Sequence, residues 1–151
     1  MRPIQFPTSK LTQELFQPYG RILEPEESEV AEVSEPEIFD FYVTFKESSQ
    51  DWQIGYLKQT GKIVDKLECH PNTAEVFSPV SGRAVLILAT EPDNKDTMRA
   101  FKLEKPIVLN RGVWHGVISL SEKSEMLIVE SPDVVDEFYQ LPQPMTVGSG
   151  Q

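Results

Sequence analysis

The chain has 151 residues, a formal net charge of −10, 39% hydrophobic and 25% charged residues, and a pI near 4.6. That length suits one domain with a real core. The acidity argues against nucleic acid or an anionic membrane as a partner, because either would repel such a surface; a small anionic substrate is not excluded, since a pocket can oppose the global sign. Cys69 is the sole cysteine, so no intrachain disulfide can form and a reducing compartment is compatible. Met1 to Phe6 lacks the apolar run of a signal peptide, and no apolar stretch is long enough to cross a bilayer. The expectation is a soluble, cytoplasmic protein.

Taken in order, residues 3–10 alternate around Ile4 and Phe6 as a possible edge strand. Residues 8–16 suit a short helix, with Thr12 as cap and Leu11, Leu15 and Phe16 as its apolar stripe. Pro18-Tyr19-Gly20 ends it. Residues 24–37 carry seven glutamates and two prolines and read as a solvated, mobile acidic loop. Ile38 to Phe45 is aromatic and β-branched and predicts a strand.

Further strands are expected over 51–57, 63–70, 75–77, 84–89, 99–103, 107–109, 117–119 and 125–130, separated by glycine or proline turns. Many short strands with regular turns predict an all-β barrel or sandwich. A small helix is expected over 133–139, opened by Ser131-Pro132, and residues 143–151 read as a flexible tail. Residues 1–142 then form a single domain.

The chemistry gathers in two places. Glu68 and His70 are two residues apart, so on a strand they share a face. Pro71-Asn72-Thr73 turns the chain and Glu75 follows; the second histidine, His115, sits beside Arg111-Gly112. Glu68, His70, Glu75 and His115 make a nitrogen and oxygen donor set suited to Ni, Mn, Fe, Zn or Co rather than Ca. The bland reading is a structural histidine beside a turn and solvent-facing glutamates. Cys69 points to the opposite face of a regular strand, as an apolar filler rather than a nucleophile. Arg99 and Arg111 are candidates to hold a substrate carboxylate, against the reading of surface ion pairs. Trp114 is a core or pocket-wall residue. No P-loop, dinucleotide fingerprint or Ser-His-Asp pattern is present.

The spacing resembles the two cupin motifs. Glu68-Cys69-His70, four residues, Glu75, six residues and Gly82 follow the first, with Glu68 in place of its first histidine. Gly112-Val113-Trp114-His115 is similar to the second, with Asn110 where that motif has proline and Ser119 where it has asparagine. A closer resemblance is to the ureidoglycolate lyase family. It rests on Tyr19-Gly20-Arg21-Ile22-Leu23-Glu24, Leu67-Glu68-Cys69-His70-Pro71, Phe77-Ser78-Pro79-Val80-Ser81-Gly82, Arg99-Ala100-Phe101 and Val113-Trp114-His115, in that order.

The resemblance implies a cupin-type double-stranded β-helix, a jelly-roll barrel with one or two short helices. It also implies a homodimer and cleavage of (S)-ureidoglycolate, or a closely related α-hydroxy carboxylate, to glyoxylate and urea. The expected cofactor is a divalent metal such as Ni, Mn or Zn. His70, Glu75 and His115 are the expected ligands, and Glu68 or Glu75 the acid–base group. Arg99, Arg111 and Trp114 are the expected substrate contacts. The rival reading is a non-catalytic cupin that binds a small ligand.

Overall fold

The structure, a computed structural model, describes residues 1–48 and 51–148. Its strands begin with β1 (Ile4–Phe6), β2 (Thr8–Ser9), β3 (Gly20–Ile22), β4 (Val33–Glu35), β5 (Phe39–Phe41), β6 (Gln53–Gln59) and β7 (Val64–Cys69). They continue as β8 (Glu75–Ser81), β9 (Ala84–Ala89), β10 (Met98–Lys102), β11 (Ile107–Leu109), β12 (Trp114–Ser119), β13 (Ser124–Glu130) and β14 (Glu137–Val147). One helix, α1 (Gln13–Phe16), and a 3₁₀ turn at Lys95–Thr97 complete the described elements.

Eight consecutive strands, β6 to β13, build the frame. They lie in the orders β7-β12-β9-β10 in one sheet and β11-β8-β13-β6 in the other. Successive strands thus fall in different sheets except where β9 turns back as β10, the strand order of a jelly roll. The all-β, cupin-type reading of the sequence is borne out.

Alternation along each strand fills two cores. Phe77, Leu86, Leu88, Phe101, Met126 and Ile128 belong to the first, which lies between the sheets. The alternate residues of β9, Val85, Ile87 and Ala89, belong to the second, with Val64, Leu67, Ile118 and Met145. The second core exists because the first sheet is extended to the order β1-β14-β7-β12-β9-β10-β2. β1 pairs in parallel with β14 and β2 in parallel with β10, and only Pro7 separates them. One N-terminal segment therefore serves both edges, and the sheet curls round on itself with no long edge left open.

The helix at α1 forms as expected: Thr12 is its N-cap and its side chain accepts from Leu15 N at 3.2 Å. Phe16 is buried against Tyr19 and Phe101, with ring centroids 6.2 and 5.2 Å away. Three expectations are corrected. Residues 133–139 are not a helix: Glu137 opens β14, which pairs antiparallel with β7 from Glu137↔Cys69 to Gln140↔Lys66. Ser131-Pro132 resembles a cap, but Tyr139, Leu141, Met145 and Val147 alternate into the second core, and that burial decides for strand. Residues 143–147, expected as loose tail, complete β14. Pro142 and Pro144 cannot donate to a ladder, and the register shifts between Gln140 and Met145.

The third correction concerns residues 24–45. The acidic loop contains β4, and the aromatic strand is shorter than expected, pairing only with β4 in a two-stranded hairpin outside the barrel. Every residue of both strands is exposed.

Gly82 closes the β8–β9 turn at φ +74°, and a Cβ there would lie 2.3 Å from the Lys123 carbonyl oxygen. Backbone strain and backbone overlap act together, so Gly82→Ala should lower unfolding stability in urea by at least about 2 kcal/mol. A loss below about 0.5 kcal/mol, the range of an ordinary surface change, would contradict this reading of the turn.

Candidate metal centre

Four neighbouring strands deliver acidic and imidazole groups to one end of the barrel. His115 on β12 is in register with Glu68 on β7, so both side chains take the same face of the sheet. His70 follows the end of β7. In the facing sheet Glu75 is the first residue of β8 and Glu130 the last of β13; these strands pair antiparallel, with Val76↔Val129 one step inward. Strand order therefore makes an interior cluster from residues scattered over half the chain.

The two imidazole rings are 5.1 Å apart, centroid to centroid. Their Nε2 atoms converge on Glu75 Oε1, at 3.4 Å from His70 and 3.2 Å from His115. Glu68 Oε1 lies 3.9 and 3.5 Å from the same two nitrogens. Phe77 stands edge-on to His115 at 5.7 Å and closes the inner side. The remaining ring nitrogens face outward to fixed partners. His70 Nδ1 is 3.0 Å from Asp136 Oδ1 and 3.4 Å from the Val135 carbonyl. His115 Nδ1 is 3.1 Å from the Val113 carbonyl. These contacts favour a proton on Nδ1 and an Nε2 lone pair directed at the cluster.

Burial and charge give Glu75, Glu68 and His115 different characters. Desolvation pushes the Glu75 carboxyl up to about 7, against the pull of His115 and His70. Glu68, with its side chain 40% exposed, is held below the ordinary carboxylate range, chiefly by its contact with His115. For His115 burial works against the imidazolium, but Glu68, Glu75 and the Val113 carbonyl outweigh it and the net shift is upward. With Glu130, the cluster holds more carboxylate than imidazole.

The donors fit a divalent cation. Glu75 Oε1 and His115 Nε2 are buried without a hydrogen-bond partner, an arrangement that is costly unless something completes it. Ligand-type atoms of Glu68, His70 and His115 lie within 4.8 Å of one another, as do those of His70, Glu75 and Glu130. Imidazole with carboxylate is a borderline donor set suited to transition metals. Glu68 and His115 also line a cavity of about 270 Å³ that opens to solvent beside Lys66 and Phe138. A larger cavity, about 480 Å³, lies around Arg83, Lys102 and Leu120 and contains none of the clustered donors.

Three expected contacts lie elsewhere. Trp114 is on the opposite face from His115, as strand alternation demands, and packs on Tyr139 at 6.4 Å and on the second core. Arg111 is exposed and paired with Glu47 at 2.8 Å. Arg99 is in register with Leu88, which is in register with His115, so two strand spacings and a buried leucine intervene; its Nη1 donates to Ser9 Oγ at 3.4 Å. Cys69 does face away, buried near Glu137, with its thiol pushed up to about 11, mainly by desolvation.

Glu130 and Asp136 were not singled out from the sequence. Glu130 carried a signal: Met126 and Ile128 are inward on β13, and the same alternation places Glu130 inward. Asp136 carried none, because its segment reads as helix.

The family model described as ureidoglycolate lyase matches residues 3–147. Among relatives, a ureidoglycolate lyase of Brucella anthropi is 26% identical over 145 residues, covering 85% of this chain and 86% of that protein. One from Rhizobium leguminosarum bv. trifolii is 32% identical over 72 residues, covering 44% of this chain and 43% of its own. One from Rhizobium etli is 29% identical over 84 residues, covering 50% and 51%. The chain thus spans about half the length of these two Rhizobium relatives. Among solved structures, Bacillus subtilis oxalate decarboxylase, studied for its Mn(II) centres, aligns over 62% of this chain and 24% of its own, with TM-score 0.46 and 17% identity. With the family model matched along nearly its whole length, the chain belongs to the ureidoglycolate lyase family.

Proposed function

We propose that this chain is a metal-dependent lyase that cleaves (S)-ureidoglycolate to glyoxylate and urea. The observation that carries the reading is the meeting of Glu75 Oε1 with both histidine Nε2 atoms, without hydrogen bonds, inside the barrel of a chain from this family. His70, His115 and Glu75 would hold the ion. When bound, a divalent metal such as Ni, Mn or Zn supplies Lewis acidity toward the hydroxyl and carboxylate oxygens of an α-hydroxy acid.

Glu68 is the carboxylate left free to act as base, since Glu75 would be held by the ion. It is ionised well below neutral pH and opens onto the cavity, whereas Glu75 is enclosed. Glu68 takes the proton of the substrate's carbinol hydroxyl. The oxygen's electron pair forms the carbonyl of glyoxylate as the carbon–nitrogen bond breaks, and the same proton is returned to the leaving nitrogen of urea. Phe77 and the surrounding core exclude water from the inner side, which strengthens each charge interaction there. The ring nitrogens of His70 and His115 are kept in orientation by Asp136 and by the Val113 carbonyl.

Metal titration by calorimetry, paired with a glyoxylate-release assay, tests the reading. The expected result is one tight ion per chain and metal-dependent release of glyoxylate. Absence of both removes the enzyme reading, and tight metal without turnover favours a ligand-binding barrel.

Three further outcomes are expected. Glu75→Gln and His115→Ala should each lose bound metal and at least about a hundredfold in turnover; unchanged metal content and rate would show that the ligands are assigned wrongly. Asp136→Asn should weaken metal binding by about tenfold to a hundredfold with the fold intact by circular dichroism, as loss of the outer partner of a ligating histidine does. An unaltered metal affinity would make Asp136 a bystander. Metal must also displace the proton that Glu75 retains up to about pH 7. Apparent affinity should therefore climb from pH 5 to 7, by up to about tenfold per unit for each proton displaced, and then level off. A flat profile across that interval would contradict the buried-carboxylate assignment.

A further inference from the structure

The site just described is rich in carboxylate: Glu68, Glu75 and Glu130 cluster with the two histidines, in a chain of net charge −10. An anionic α-hydroxy acid approaching it meets repulsion; Arg99 stands two strands from His115 with its Nη1 on Ser9 Oγ, and Arg111 is paired with Glu47. Lys66 is two residues before Glu68 on β7, and with Asp65, Glu68, His115 and Phe138 it lines the cavity, where, among the described residues, Lys66 is the one cationic side chain. Its Nζ lies 4.8 Å from the centroid of the exposed Phe138 ring, a cation–π contact that holds a flexible ammonium at one place. It makes no ion pair among the described residues, whereas Arg21, Lys105, Arg111 and Lys123 each have a carboxylate partner.

We infer that Lys66, placed by Phe138 at the mouth of the barrel, is the residue that recognises the carboxylate of a small anionic α-hydroxy acid. The inference rests on the proposed lyase reading for the identity of the substrate, but not for the site's preference for an anion. An ammonium on a flexible stem suits this position: it attracts the anion from solvent and can follow it inward. The residue was overlooked in the sequence because arginine is the usual carboxylate partner, while the shared strand face of Lys66 and Glu68 was there to be read.

The test uses the metal-loaded protein, with glycolate as anionic probe, glycolamide as its neutral counterpart and ureidoglycolate as substrate. Lys66→Met should weaken glycolate binding about tenfold, as loss of a charge-assisted contact does. It should raise KM for ureidoglycolate by a similar factor while kcat stays within about threefold. Lys66→Arg should stay near wild type. Lys105→Met, which removes the same charge at a lysine paired with Glu24, should change neither constant. Glycolamide should bind wild type and Lys66→Met alike. Equal glycolate affinity in wild type and Lys66→Met, or an equal loss of glycolamide, would overturn the inference, as would a wild-type protein that binds no glycolate. If wild type releases no glyoxylate but Lys66→Met still loses glycolate, the lyase reading fails and the role of Lys66 stands. If glyoxylate release is normal and KM is unmoved in Lys66→Met, the reverse holds.

Discussion

The buried carboxylate of Glu75 is the constraint around which the molecule is arranged. It is 7% exposed, faces two imidazole nitrogens at 3.4 and 3.2 Å, and has one oxygen with no hydrogen bond. An unsatisfied buried acceptor costs about 1–3 kcal/mol, and more if it is charged. Protein chemistry offers two remedies, a retained proton or a cation. The upward shift of Glu75 is the first remedy at work. The donor set around it fits the second. Neighbouring carboxylates make the proton the poorer solution above neutral pH, and that imbalance would favour a cation there.

The fold makes that arrangement affordable. Ligand-type residues come from the ends of β7 and β13 and from the starts of β8 and β12, and the jelly-roll order sets those strands beside and across from one another. Two cores hold the strands in register: one between the sheets, one inside the curl of the first sheet. β14 contributes to both tasks. It pairs along β7 and packs its alternate residues into the second core, and the connection leading into it carries Asp136 to the back of His70. Scaffold and site are thereby linked through a segment with no chemistry of its own apart from one aspartate.

Much of this was legible in the sequence where side-chain period and turn chemistry agree. β9 and β11 were read to the residue, and Thr12 as a cap, because alternation, flanking glycines and a short polar side chain each point to one structure. The convergence of Glu68, His70, Glu75 and His115 followed from spacing together with family words. What was not legible depended on contacts distant in sequence. Residues 133–139 read as a helix because Ser131-Pro132 is a local start signal, and only the packing of β14 against β7 and the second core overrides it. The direction of Trp114 is available from its adjacency to His115, yet an aromatic beside a candidate ligand invites a functional reading. Arg111 could be placed only once its pairing with Glu47 was seen. Residues 30–41 form an exposed hairpin that no periodic pattern distinguishes from a barrel strand.

The central claim is that one cation joins both histidines to a buried carboxylate. It is tested most directly by anomalous diffraction from crystals grown with Mn²⁺ and collected on either side of the metal edge. The account predicts a single strong peak within coordination distance of His70 Nε2, His115 Nε2 and Glu75. No peak at that end of the barrel, or an ion bound elsewhere while the two imidazoles hydrogen-bond only to carboxylates, would contradict it.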